Sequence, residues 1–317
     1  MRFRLFCSTS LDVYLNQSYE KELFDTADEG ELTLYLWRND HTIVIGRHQD
    51  AKSECRLSLF EEEGGKLARR ISGGGAVYHD KGNLNFTFIA KEPVYDLKQN
   101  QELIMGAVRS FNIECELSGR NDILSDGRKF SGNAFYKEGN TRLHHGTLLI
   151  CTDPEKISRY LTPPLMKLKK RGIASVGSRV VNLSELNGAV TAASMQKALT
   201  EAFKCLCKDK GGEFYEMKQS DFDAAEIEKK RANFYSREYL LGEDISFDKR
   251  AELLFDSGLF DVRAKTEGGI IKEVKIFSDC LDIDYIKSLE NYLLGKSVYS
   301  KTDGEGDASK ILEALNG

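Results

Sequence analysis

The sequence predicts an α+β fold built on a mainly antiparallel sheet, and three observations lead there. Short alternating runs recur between 113 and 151, separated by turn residues such as Asp126-Gly127 and Glu138-Gly139-Asn140. Strands that follow one another through turns this short run antiparallel. Beyond Cys151 the pattern becomes helical, and a second alternating section begins only near Phe247. This is not the strand-by-strand alternation of a doubly wound nucleotide fold.

Taken in order, 3–7 alternates like a strand, and Ser10 is placed to cap a helix reaching about Phe24. Residues 31–38 and 42–45 read as strands across the turn pair Asn39-Asp40. A short helix at 57–63 stops at Gly64-Gly65. Strands are expected at 66–71, 76–79 and 84–89, then a helix over 101–111. The meander comes next at 113–117, 122–124, 128–136 and 142–151. Helices are expected at 154–161, 165–171, 191–210 and 221–236. A hairpin, 259–265 with 270–277, turns at Glu267-Gly268-Gly269, and helices near 283–294 and 308–315 close the chain. The boundary is placed near 241–245, which gives a catalytic domain over 1–244 and a small accessory domain over 245–317.

The 317 residues are 41% hydrophobic and 30% charged with only 4 Pro, an ordinary mix that predicts a chain folded throughout. A net charge of −5 argues against a nucleic-acid binder driven by a basic surface. The first residues read as a strand and not as a signal peptide, and no apolar run is long enough to span a membrane. The 7 cysteines are odd in number and scattered, which suits reduced thiols in a cytoplasm. Cys205 and Cys207 lie one residue apart with no second pair and no nearby His, which is not a zinc spacing.

Five segments carry chemistry. In the first, Arg69-Arg70-Ile71-Ser72 leads into Gly73, Gly74, Gly75, Ala76, Val77, Tyr78 and His79. Consecutive glycines permit positive φ and close backbone approach, and exposed amides in such a loop can face an anion. Arg70 adds a fixed charge with a planar donor fork. The plainer alternative is a hairpin turn with a surface arginine. The second holds Asn121 and Asp122, whose oxygens suit Mg²⁺ or a hydroxyl-bearing ligand, or else form an Asx turn. The third holds Lys129 and Ser131 on one strand face with Phe130 on the other. It is either a point charge for a phosphoryl group or a solvated lysine beside a bulge. The fourth is His144-His145, adjacent on a strand and so facing opposite ways, which argues against one shared metal. The fifth pairs the basic run 167–171 with the Gly/Ser stretch that holds Ser175 and Arg179, either a solvated helix end or a lid over an anion.

Together and in this order, the segments closely resemble the lipoate–protein ligase family. The likeness runs from about 34 to 186 and continues more faintly through 259–279. It implies a biotin/lipoate-ligase catalytic fold, related to class II aminoacyl-tRNA synthetases, followed by a small accessory domain. It implies ATP, Mg²⁺ and lipoate as ligands. Lys129 would be catalytic, touching both lipoate and nucleotide phosphate. Arg70, Gly75, Ala76, Val77, Tyr78, Asn121, Asp122, Ser175 and Arg179 would hold ATP or the adenylate, with Asp122 toward Mg²⁺. Arg70, Ser72, Gly73, Gly74, Lys129 and His145 would hold lipoate. The partners implied are lipoyl domains of 2-oxoacid dehydrogenase complexes and the glycine cleavage H protein, with no nucleic acid or membrane, and a monomer is expected.

Three other readings compete. An octanoyl- or lipoyl-transferase of the same superfamily needs a cysteine nucleophile, yet 119–122 holds none, and Cys115 upstream reads as a small core residue. A biotin ligase would carry a Gly-Arg-Gly-Arg loop that is missing here. A non-catalytic adenylate- or partner-binding paralogue would have no reason to keep Arg70, the triple glycine and Lys129 together.

Overall fold

Strand β2 (Glu31–Trp37) is buried at all seven positions, so both of its faces must be covered. The computed structural model describes residues 1–119, 121–162, 180–242, 246–300 and 306–317. Among these, β2 lies inside an eight-stranded mixed sheet ordered β11-β1-β2-β6-β10-β9-β8-β7. Its other members are β1 (Arg2–Cys7), β6 (Asn83–Lys91), β7 (Glu116–Leu117), β8 (Asp122–Ser125), β9 (Arg128–Glu138), β10 (Thr141–Leu149) and β11 (Glu213–Met217). Strand parity sorts the core. Leu32, Leu34, Leu36, Phe86 and Phe88 pack beneath α4 (Leu97–Arg109) and α7 (Ala192–Asp209). Tyr35, Trp37, Ile89 and Leu143 face α1 (Val13–Asp25) and α8 (Ala224–Tyr235).

The antiparallel run β6-β10-β9-β8-β7 agrees with the turn-based expectation. The other end departs from it, because β1 pairs in parallel with both β2 and β11. Parallel neighbours need a crossover, which α1 supplies between β1 and β2. The runs 31–38 and 42–45, consecutive in sequence, do not pair with each other. Strand β3 (Thr42–Ile45) joins β4 (Lys66–Arg69) and β5 (Val77–His79) in a separate small sheet, parallel to the first and antiparallel to the second. The chain leaves β2 through His41 at φ 42°, a left-handed conformation that redirects it.

Three helix starts differ from expectation, the first being α4, which begins at Leu97 with Asp96 as its cap and not near 101. Asp12, not Ser10, is the N-cap of α1, and the Ser10 hydroxyl accepts the Asp12 N–H at 3.0 Å, forming a turn ahead of the helix. The stretch expected as one helix over 221–236 begins as a 3₁₀ turn, Gln219–Asp221, and restarts at Ala224 with Asp223 as its cap. The Asp223 carboxylate accepts N–H groups of the first turn, which holds the restart in place.

The C-terminal part is a meander of β12 (Lys249–Phe255), β13 (Gly258–Glu267) and β14 (Ile270–Ser278), covered by α10 (Ile283–Leu293) and α11 (Asp307–Asn316). Phe260, Val262, Ile276, Ile286, Leu293 and Ile311 form its own apolar cluster. It meets the rest of the chain through polar contacts. Arg263 Nη2 lies 2.7 Å from Asp50 Oδ2, and the Ser278 N–H donates to His48 O at 2.9 Å. Among the described residues, no helix is long and apolar enough to cross a membrane.

Candidate active site

Strand β6 carries Asn83, Asn85 and Thr87 on one face, all buried. A strand that alternates polar residues inside a protein is facing something other than core. That something is a cleft of about 660 Å³, walled by β6, β9, β10, the glycine loop and the segment just after β14. Trp37, Tyr78, Lys129, Leu149 and Leu281 line it, so apolar surface is mixed with a few polar groups. Both size and lining are those of a small-molecule site.

Segments remote in sequence meet here. Gly74, Gly75, Ala76, Val77 and Tyr78, then Asn121 and Asp122, then Lys129, then His145 all line the one cleft. Ser175 and Arg179, with the basic run and most of the expected lid, fall in 163–179, outside the described residues, as does Arg120. The chain from Val180 onward is anchored to the site: Val180 bridges Lys129, and the Val181 N–H donates to Lys129 O at 2.9 Å.

Lys129 is only half-buried, and its Nζ lies 2.8 Å from Asp122 Oδ1. The placement depends on a bulge. The β8–β9 register shifts between Ile123 and Leu124, so Asp122 pairs with Gly132 while Leu124 pairs with Lys129. The extra residue is Phe130, which turns fully into the core. A side chain on Gly132 would strike the Lys129 ammonium, so the glycine leaves the lysine room to reach across. The bulge of the plainer reading is therefore present, but the lysine beside it is paired with Asp122 and not free in solvent. Asn121 does more than turn the chain. Its Nδ2 donates to Asn133 O at 2.6 Å, while Asn133 Nδ2 donates to Asn121 O at 2.8 Å.

The glycine loop has a different internal logic from the one its sequence suggests. Arg70 is buried and spends its fork on the loop itself. Nη2 donates to Gly73 O at 2.7 Å and Gly75 O at 2.8 Å, Nη1 to Val44 O at 3.2 Å, and Nε to Ser72 Oγ at 3.2 Å and Gly73 O at 3.1 Å. Burial pulls its pKa down to about 10, so it stays cationic at neutral pH. Gly74 sits at φ +95°, and its N–H donates to Cys280 O at 3.1 Å. A Cβ on Gly73 would stand 2.2 Å from that same carbonyl oxygen, and one on Gly46 would stand 2.1 Å from Gly74 O. Two of the three glycines thus serve close backbone stacking, while Gly75 borders open space. It follows that Arg70→Ala strips the loop carbonyls of their donor. We expect a loss on the order of 3 kcal/mol of stability and a melting temperature lower by roughly 5 °C, read by calorimetry without ligand. A surface arginine would leave the melting temperature where it was.

The two histidines of β10 part as adjacent strand residues must. His144 Nε2 meets Asn133 Oδ1 at 2.7 Å, and its ring stacks near Phe88 and Phe135. His145 turns to the other face. Its Nε2 lies 2.6 Å from Ser72 Oγ and its Nδ1 2.8 Å from Glu20 Oε1. Glu20, on α1, is buried and also accepts the Thr87 hydroxyl at 2.7 Å. Sequence reading missed Glu20, Trp37, Asn83, Asn85 and Leu281 as site residues. The alternation of Asn83, Asn85 and Thr87 between apolar neighbours was the signal that would have found the β6 wall. Cys115 is buried in the main core, and burial raises its thiol pKa, as suits a packing residue.

Comparisons with known proteins agree with this geometry. Residues 12–204 match the lipoyl protein ligase A/B catalytic domain family, and residues 244–303 match the bacterial lipoate protein ligase C-terminus. Lipoate-protein ligase A of Bdellovibrio bacteriovorus is 37% identical, covering 99% of this chain and 91% of its own. The Psychrobacter cryohalolentis lipoate-protein ligase A is 36% identical over 92% of this chain and 88% of its own. Among solved structures, P. falciparum LipL1 in complex with lipoate superposes with a TM-score of 0.83 at 30% identity, covering 98% of this chain and 93% of that one. With the catalytic and C-terminal matches in sequence and the shared architecture in space, this chain belongs to the lipoate–protein ligase family and is a ligase.

Proposed function

We propose that this ligase activates lipoate with ATP as lipoyl-AMP and passes the lipoyl group to a lysine of lipoyl domains, those of 2-oxoacid dehydrogenase complexes and the glycine cleavage H protein, in the cytoplasm. The observation that carries it is the cleft itself, which Lys129 and the glycine loop line together with apolar side chains. The apolar walls suit the hydrocarbon tail of lipoate, and the loop from Gly75 to Tyr78 suits a nucleotide. The lipoate carboxylate and the α-phosphate repel each other as anions. A lysine fixed between them offsets that charge as the carboxylate oxygen attacks phosphorus and pyrophosphate leaves. A neutral carrier amine then attacks the acyl carbonyl, AMP departs, and the amine proton passes to solvent.

Mg²⁺ fits the donor set: Asp122 offers one carboxylate beside the expected phosphates, the pattern of a nucleotide-bound Mg²⁺. When bound it would neutralise phosphate charge. Asp122 meanwhile holds Lys129 in line through their ion pair.

The test is mass spectrometry of an apo lipoyl domain incubated with the protein, lipoate and Mg-ATP. The reading expects a lipoylated carrier that disappears when ATP is left out, and no acyl adduct on any enzyme cysteine. Transfer without ATP, or a thioester-linked enzyme, would replace this reading with that of a transferase.

A further inference from the structure

Ser72, His145 and Glu20 lie in the sequence of contacts that a serine hydrolase uses, hydroxyl to imidazole to carboxylate, at 2.6 and 2.8 Å. Ser72, however, is wholly buried and stands outside the lining of the cleft, so no substrate reaches its hydroxyl. The constellation must act on something other than a reacting carbonyl.

The direction of its hydrogen bonds shows what that is. Arg70 Nε can only donate, and it donates to Ser72 Oγ. The Ser72 hydroxyl lies 3.4 Å from Gly73 O but only 2.6 Å from His145 Nε2, so its proton goes to the imidazole, which places a His145 proton on Nδ1, pointing at Glu20 Oε1. Every donor points the same way, from a buried cation toward a buried anion, so each bond polarises the next. A second chain reaches the same carboxylate oxygen: Trp37 Nε1 donates to Thr87 Oγ1 at 3.1 Å, and Thr87 Oγ1 donates to Glu20 Oε1. Arg70 and Glu20 are thus an extended ion pair bridged by the Ser72 and His145 side chains. The far end of the pair grips the carbonyls of Gly73 and Gly75.

We propose that Glu20 is a positioning residue for the glycine loop: through His145 and Ser72 it orients the Arg70 guanidinium, and through Arg70 it sets the backbone that faces the nucleotide. The proposal rests on the ATP-dependent reading above. It separates Glu20 from a simple wall of the acid-binding end, because a wall residue alters lipoate binding while the relay alters the nucleotide end.

Three variants test it. Ser72→Ala cuts the relay without touching the cleft lining. Glu20→Leu removes the anion at similar size. Glu20→Gln keeps one acceptor oxygen for both His145 and Thr87. The first readout needs no activity: exchange of the Arg70 Nε–H with solvent, followed by NMR in unliganded protein. Glu20→Leu, three hydrogen bonds away, should speed it about tenfold, Glu20→Gln much less. The second is kinetic. Ser72→Ala should raise KM for ATP about tenfold with KM for lipoate nearly unchanged, and joining it to Glu20→Leu should add little, since one cut already opens the relay. Arg70 exchange indifferent to Glu20→Leu, or fully additive effects on KM for ATP, would overturn the relay. If the wild type proved inactive with ATP while Glu20→Leu still sped Arg70 exchange, the relay would stand and the functional reading would fall.

Discussion

Lys129→Ala is expected to slow adenylate formation about 10³-fold while leaving the fold intact. The size follows from the position. Lys129 is the cation that the bulge in β9 and the space above Gly132 deliver across to Asp122. Removing a preorganised charge where two anions must meet leaves their repulsion uncompensated at the transition state. The fold should survive because the side chain is only half-buried, and its structural bonds to Val180 and Val181 are made by the backbone. Pyrophosphate release in the presence of lipoate and ATP measures the effect, with circular dichroism as the control for folding. Release at close to the wild-type rate would remove Lys129 from the chemistry.

A second large effect is expected from acid. Burial first, then neighbouring positive charge, drives three imidazoles down: His79 to about 3, His144 to about 3 and His48 to about 4. All three are neutral in the folded protein, whereas the unfolded chain takes up their protons below about pH 6.5. Between that value and the folded pKa values the unfolded state binds more protons, so stability falls as pH falls. At pH 4 the three together remove roughly 10 kcal/mol, as much as a typical domain has in all. Cooperative unfolding with a midpoint between pH 6 and 4 should therefore appear in the fluorescence of Trp37. A native signal persisting at pH 3.5, with stability flat from pH 6.5 to 4, would show that these rings are solvated.

The antiparallel half of the sheet was legible because its information is local: alternation in 128–138 and 141–149, and a turn of known chemistry between. The parallel half was not. The partner of β1 in β11 lies some two hundred residues away, and β11 itself, with Glu213 and Glu216 in five residues, offers little apolar pattern. The break between β2 and β3 hung on one residue, His41, taking a left-handed φ that its side chain does not announce.

The same division holds for the site. Motifs on loops and strand ends were visible as motifs, and of their residues Arg70, Gly74, Gly75, Ala76, Val77, Tyr78, Asn121, Asp122, Lys129 and His145 line one cleft, whereas Ser72 and Gly73 lie behind its wall. Glu20 was hidden because α1 is buried on its polar face as well as on its apolar one. It buries Asn16, Gln17, Ser18 and Glu20, so an apolar-periodicity reading places them in solvent. Arg70, which also lines the cleft, was read only as a ligand fork, because composition reveals donors but not that the loop carbonyls take several of them.

The stacking of backbone on backbone at the glycine loop also shapes how this protein can vary. A side chain at Gly65 would meet the ring of Phe60, and a smaller residue at position 60 could make room for it. A side chain at Gly46 or Gly73 would meet a peptide oxygen instead, at Gly74 and Cys280 respectively, and every amino acid carries that oxygen. No second substitution elsewhere can shrink it. The two positions therefore lie outside the reach of ordinary compensatory change: lineages can drift around Gly65 in paired steps, but at Gly46 and Gly73 only movement of the main chain, and with it of the C-terminal part, would open an alternative.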